Sequence, residues 1–286
     1  MNQFVIKIGN SASRFDGLAS EMTEQVDEED LKVRLATSPQ TETLYAYDKD
    51  ARILVFIDGY IVSDMASNVG QIIESYCASP ERTLDIPGGI YNLIVINLNQ
   101  ATVDVYNDGM GLFPFYFFYQ EHTLVLTNSL FLLKQVHKLE VSSQGFGETY
   151  TLGWTIGEKT VFRQLFRTLP GTHYHFSIRD HIEITKSRLS ENWSNITSDN
   201  AQDVMSKLHF YWQQAVERYA HSFAPPYGLM LSGGLDSRLV LGELMKHGET
   251  IACTHGNPES GEYKIASQVA QSCGAEWLPN PMDEAF

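Results

Sequence analysis

The chain has 286 residues, with 20 Lys plus Arg against 35 Asp plus Glu and a formal net charge of −15. Apolar residues make up 43% and charged residues 19%, the balance of a globular protein long enough for one large or two medium domains. The acidic balance argues against a general binder of nucleic acid or of an anionic membrane, since both need basic surface.

At the start, MNQFVIKIGNSASRFDG has no basic n-region and no long apolar stretch, so no secretory signal is read. Up to about residue 185 the chain reads as β-rich. ILVFIDGYIV, GIYNLIVINL, ATVDVYND, PFYFFY, HTLVLTN and THYHFSI are short apolar or alternating runs separated by turn residues. Tyr174, Phe176 and Ile178 alternate with His175 and Ser177, the pattern of a half-buried strand. Helices are expected at Met65 to Tyr76 and Ser129 to Val136. RLSENWSNITSDN, residues 188–200, is polar and aperiodic and reads as a linker between a first domain, 1–187, and a second, 201–286.

After the linker the texture changes. Val204, Leu208, Tyr211, Trp212, Ala215 and Tyr219 recur at helical spacing. Tyr227 to Leu231 is a short buried-strand candidate, followed by SGGLDS and the helix candidate RLVLGELMKHG. A second strand, Glu249 to Thr254, leads to a second helix that closes on Gly274, and Ala275 to Leu278 starts a third strand. Strand–helix alternation predicts a doubly wound parallel sheet. No apolar run reaches the roughly 18 residues of a transmembrane helix. Cys77, Cys253 and Cys273 are too few and too scattered for a disulfide framework or a zinc knuckle, and Cys253 and Cys273 are expected as small buried apolar residues. A reducing cytoplasm is the expected location.

Ser232-Gly233-Gly234-Leu235-Asp236-Ser237, between a strand and a helix, is built like a phosphate cradle. Two glycines let the backbone turn sharply and approach closely. The N–H groups that open the following helix face an anion with a favourable dipole. Ser232 and Ser237 offer hydroxyl donors, and Asp236, which repels phosphate by itself, fits a Mg²⁺ that bridges phosphate oxygens. The bland reading is a serine-capped strand-to-helix turn. No GxxxxGK[ST] loop is present.

The motif resembles the pyrophosphate loop of the N-type ATP pyrophosphatases. The wider stretch from YGLMLSGGLDSRLVLGEL to IACTHGNPESGEYKIASQVAQSCGAEW is similar to the asparagine synthetase family. That resemblance implies ATP and Mg²⁺ as cofactors, with Asp236 holding the metal and Leu231, His255 and Gly256 lining the nucleoside pocket, where the imidazole of His255 either stacks on the adenine or faces solvent. The first half resembles the same family's Ntn-type glutaminase domain, an αββα sandwich, through Val55 to Ile61, Pro87 to Val95, Asn107 to Tyr116 and Leu169-Pro170-Gly171.

Glutamine hydrolysis by that domain needs a cysteine directly after the initiator Met, whose α-amine serves as base. Here the position is Asn2, and no catalytic residue can be named in its place. The family's oxyanion pair Asn-Gly stands here as Asp58-Gly59, and the glutamine-gripping Glu as Tyr60. A carboxylate at that point repels an oxyanion. The expectation is a retained fold without glutaminase activity, as the resemblance to β-lactam and lasso-peptide macrolactam synthetases implies. The function read from this is an ATP-dependent, AMP- and pyrophosphate-forming amide ligase. Its partners are a small-molecule or peptide carboxylate and an amine, with no nucleic acid and no membrane, and a homodimer left open. The alternative is a non-catalytic nucleotide-binding or scaffold protein. With 87 residues from Asn200 to Phe286, the second domain is expected to be a truncated one.

Overall fold

The computed structural model describes residues 3–9, 22–27, 31–37, 44–62, 69–78, 84, 88–179, 181–189 and 200–282. Asn2 and most of the linker expected at 188–200 lie outside these residues. Contacts divide the chain into two compact units, one of Met1–Ile61 with Met65–Asn192, the other of Val62–Asp64 with Trp193–Phe286.

The first unit runs β1 (Phe4–Gly9), β2 (Met22–Asp27), β3 (Lys32–Thr37), β4 (Leu44–Asp48), β5 (Ile53–Ile61), α1 (Val69–Ala78), β6 (Gly89–Asn97) and β7 (Thr102–Asn107). It continues through β8 (Tyr116–Gln120), β9 (Thr123–Thr127), α2 (Leu130–Val136), α3 (Ser143–Leu152), β10 (Leu165–Arg167), β11 (Thr172–Ile178) and β12 (Ile182–Arg188). Two six-stranded sheets result, ordered β10-β8-β9-β1-β3-β2 and β12-β11-β7-β6-β5-β4, and the strands pair antiparallel throughout.

Strand alternation decides which way each side chain points. On β5, Leu54 and Phe56 join a core shared with Phe4, Ile6 and Phe117 of the other sheet, while Ile53, Val55 and Ile57 face α1. On β11, Tyr174, Phe176 and Ile178 enter the same inter-sheet core, which leaves His173 and His175 on the outer face. Each such buried ring or branched chain contributes roughly 1.5–3 kcal/mol. Leu132 and Leu133 of α2 pack with Val5 and Leu165 on the outside of the first sheet, so each sheet carries a helix on its outer face.

The second unit runs α4 (Ala201–Ser222), β13 (Tyr227–Met230), α5 (Leu235–Leu244), β14 (Thr250–Gly256), α6 (Gly261–Cys273) and β15 (Glu276–Pro281). Its strands form a parallel sheet in the order β13-β14-β15. Leu241 of α5 and Ala266 and Ala270 of α6 cover Leu231 and Ala252. The small alanines let α6 lie close to the strands.

α4 forms where the helical spacing predicts a helix. α4 buries only Val216 and Ala220, whereas Val204, Leu208 and Tyr211 are exposed. At 22 residues it spans about 33 Å, and a four-residue β13 offers only about 13 Å to pack against. Cys253 is half-buried and Cys273 exposed, so the expectation of two buried thiols is corrected: Cys273 ends α6 on its solvent side. Among the described residues, no helix is long and apolar enough to cross a membrane.

Candidate functional site

In the second unit the chain leaves β13, turns through Leu231 to Gly234 and enters α5. Gly234 is the N-cap, in extended conformation (φ −77°, ψ 165°), and no side chain caps the helix. The first-turn N–H groups of α5 therefore keep the positive end of the helix dipole clear of a competing side-chain oxygen. Gly234, Leu235 and Asp236 are all exposed, so an anion can reach this helix start. Asp236 sits in the first turn and has no ion-pair partner among the described residues.

The loop is braced from within. Ser232 and Ser237 place their Oγ atoms 3.0 Å apart, Ser232 N donates to Ser237 Oγ at 3.1 Å, and Gly234 N donates to Ser232 Oγ at 3.1 Å. Arg238 adds a bond that sequence reasoning missed: its Nη2 donates to Gly233 O at 2.5 Å. The expected hydroxyl donors are thus engaged in holding the turn. Gly233 packs against the opening of α6, where a Cβ would lie 3.0 Å from Glu262 Cα and 3.1 Å from its carbonyl oxygen. Ser260 caps that helix, its Oγ accepting from Tyr263 N at 3.2 Å. Two helix starts therefore adjoin at the glycine turn.

Leu231, expected beside the nucleoside, turns its side chain into the core, while that of His255 is exposed. Leu231 continues the alternation of Tyr227 and Leu229 and is 3% exposed, beneath α5 and α6. Its main chain is also occupied: N donates to Cys253 O at 2.7 Å, and O accepts from Thr254 Oγ1 at 2.9 Å. Thr254 is buried on the same side, so alternation turns exposed His255 to the opposite face. Gly256 ends β14 with φ +133°, and its carbonyl accepts from Met282 N at 2.9 Å.

In the first unit, Asp58, Asn92 and Asn107 stand in register on neighbouring strands. They lie on the inner face and end the apolar core with a polar layer. Asp58 Oδ2 accepts from Asn92 Nδ2 and from Asn128 Nδ2, both at 3.2 Å. Burial pushes the Asp58 carboxyl above its ordinary range, and the two amides partly oppose that shift. Gly59 follows at φ +104° with Ile90 O only 2.1 Å from where a Cβ would be, so no other residue fits there. Tyr60 pairs with Ile90 near the end of β5. The three asparagines were not singled out from sequence, because their clustering depends on strand register. Among the described residues, no three His, Cys, Asp or Glu side chains are placed to share a metal ion.

These features define a mixed α/β protein whose second unit carries a glycine turn between a parallel strand and a helix without a side-chain cap. The asparagine synthase family model matches residues 212–280, from within α4 to β15 and including the whole glycine turn. The sequence matches no curated protein. One similar solved structure is the glutamine phosphoribosylpyrophosphate amidotransferase from B. subtilis complexed with ADP and GMP. It is 10% identical, with 97% of this chain and 84% of that chain covered and a TM-score of 0.31. Another, described as the allosteric regulatory enzyme of purine biosynthesis, is 10% identical over 98% of this chain and 74% of that chain, with a TM-score of 0.32. Likenesses this faint carry no argument about the chain.

Proposed function

We propose that this chain carries the nucleotide site of an ATP-dependent amide ligase that adenylates a carboxylate, releases pyrophosphate and joins the acyl group to an amine. The observation that carries the reading is the uncapped, exposed start of α5 directly after a glycine turn, inside the segment that matches the asparagine synthase family model. In this reading Ser232, Gly233, Gly234 and Ser237 shape the phosphate cradle, and His255 and Gly256 border it. Asp236 is the residue suited to Mg²⁺, being an exposed hard-oxygen ligand at the helix start. When bound, that ion neutralises phosphate charge. The second unit is read as part of a doubly wound domain and the first as an Ntn-type αββα sandwich, with the division near residues 188–200. The substrates are a carboxylate and an amine.

Calorimetric titration with Mg-ATP tests the cradle. Asp236→Ala is expected to weaken binding by at least about tenfold with the fold intact, and unchanged affinity would overturn the role given to Asp236. Release of pyrophosphate, rather than binding alone, distinguishes a ligase from the nucleotide-binding or scaffold alternative.

The first unit is proposed not to hydrolyse glutamine. Asn2 offers no thiol, and Asp58 puts a buried carboxylate where an amide belongs in the resembled site. A diazo-ketone glutamine analogue should leave the mass of the protein unchanged; an adduct near the N-terminus would refute this.

A further inference from the structure

The first unit holds a depression of about 550 Å³ beside α2 that uses none of the cradle residues. Its volume lies in the range of small-molecule sites, about 300–1,000 Å³. Leu130, Phe131, Leu139 and Phe162 supply apolar walls, and Lys134 and Lys138 stand among them.

The walls are fixed by the fold. Ser129 caps α2, its Oγ accepting from Leu132 N at 3.2 Å, and buried Leu132 and Leu133 anchor the helix to the first sheet. That orientation leaves Phe131 outside at 56% exposure. The opposite wall is tied back by the Val141–Phe162 bridge and by Arg163 N donating to Glu140 O at 2.7 Å. His137 packs on Phe118 with ring centroids 4.2 Å apart. Burial, with the Lys7 charge nearby, holds this imidazole below its ordinary range, so at neutral pH it is an uncharged aromatic wall.

The charges are unmatched. In a chain of net charge −15, neither Lys134 nor Lys138 has an ion-pair partner among the described residues. The Lys134 ammonium lies 4.9 Å from the centre of the Phe131 ring, where a cation–π contact holds it over the apolar surface. Apolar walls with two unneutralised ammonium groups complement one ligand chemistry. We propose that this depression binds a small organic carboxylate with an aromatic or branched apolar body, the body against Phe131, Leu139 and Phe162 and the carboxylate between Lys134 and Lys138.

The test uses naphthoate as the probe and naphthylmethanol as its neutral counterpart, titrated into the full chain by calorimetry and by amide chemical shifts. Because partly exposed ion pairs are weak, naphthoate should bind about five- to tenfold more tightly than the alcohol, with shifts centred on residues 130–139 and 162. Lys134→Gln with Lys138→Gln should remove that preference, Lys134→Arg with Lys138→Arg should keep it, and Lys49→Gln should leave it unchanged. Circular dichroism checks that each variant is folded. Equal affinity for the two probes, a preference that survives the double Gln variant, shifts centred elsewhere or no detectable naphthoate binding would each overturn the proposal.

Discussion

Gly234→Trp is expected to abolish Mg-ATP binding, a loss of at least about a hundredfold, while the protein stays folded. The backbone accepts the change. Gly234 has φ −77°, and a Cβ there meets only Ser232 Oγ, at 3.2 Å. The indole then fills the space through which a phosphate reaches the start of α5. Gly233→Val should behave differently, because its Cβ presses on the main chain of Glu262 at 3.0 and 3.1 Å. That backbone has to shift, and overpacking of this kind costs about 1–3 kcal/mol. The two glycines therefore separate. Gly234 serves the approach of a ligand, and Gly233 serves the packing of the turn against α6. Thermal melts alongside calorimetry distinguish them. A Gly234→Trp protein that still binds Mg-ATP normally would remove the phosphate site from this turn.

How much of this was legible in the sequence follows from which forces are local. The glycine turn was visible because its strand, its loop and its helix are consecutive in the chain. The alternation of Tyr174, Phe176 and Ile178 was visible because one strand carries it. α3 was not read, since SQGFGETYTL has two glycines and no apolar period; its limits are set by Ser142 and Gly153 at the two ends. The burial of Leu231 was not visible in the loop motif, because it follows from a strand period that continues past the end of β13 and sends this side chain into the core. The polar layer of Asp58, Asn92, Asn107 and Asn128 comes from four separate segments, and no single window of sequence contains it. The basic depression beside α2 is hidden for the same reason: Phe162, which pairs with Val141, lies far along the chain from α2.

The second large effect concerns Asp104, which stands between Val103 and Val105 on β7. Its Oδ1 meets His173 Nε2 at 2.7 Å and His175 Nδ1 at 2.8 Å, and its Oδ2 accepts from Tyr76 Oη at 2.7 Å. His173 also stacks on Tyr106, with ring centroids 4.3 Å apart. One carboxylate thus joins β7, β11 and α1 on the outer face of the second sheet. Burial raises the Asp104 carboxyl, but the bonds from the two histidines and Tyr76 outweigh it and bring the value down to about 2. A lowered carboxyl contributes stability above its unfolded value near 3.8 and loses it as pH falls through about 2, amounting to about 2 kcal/mol. His175 has the opposite sign. The bond to Asp104 raises it above 6.5 despite partial burial, so its contribution is complete below pH 6.5 and fades as pH rises through the raised value. Asp104→Ala leaves the Tyr76 hydroxyl and two imidazoles without their acceptor and should cost about 3–5 kcal/mol in denaturant unfolding at neutral pH. Asp104→Asn should flatten the acid limb between pH 4 and 2, and a magnetic-resonance titration should show His175 falling back towards its ordinary value. An acid limb of unchanged slope in Asp104→Asn would mean that other carboxylates govern acid unfolding and that this cluster contributes little to holding α1 on the sheet.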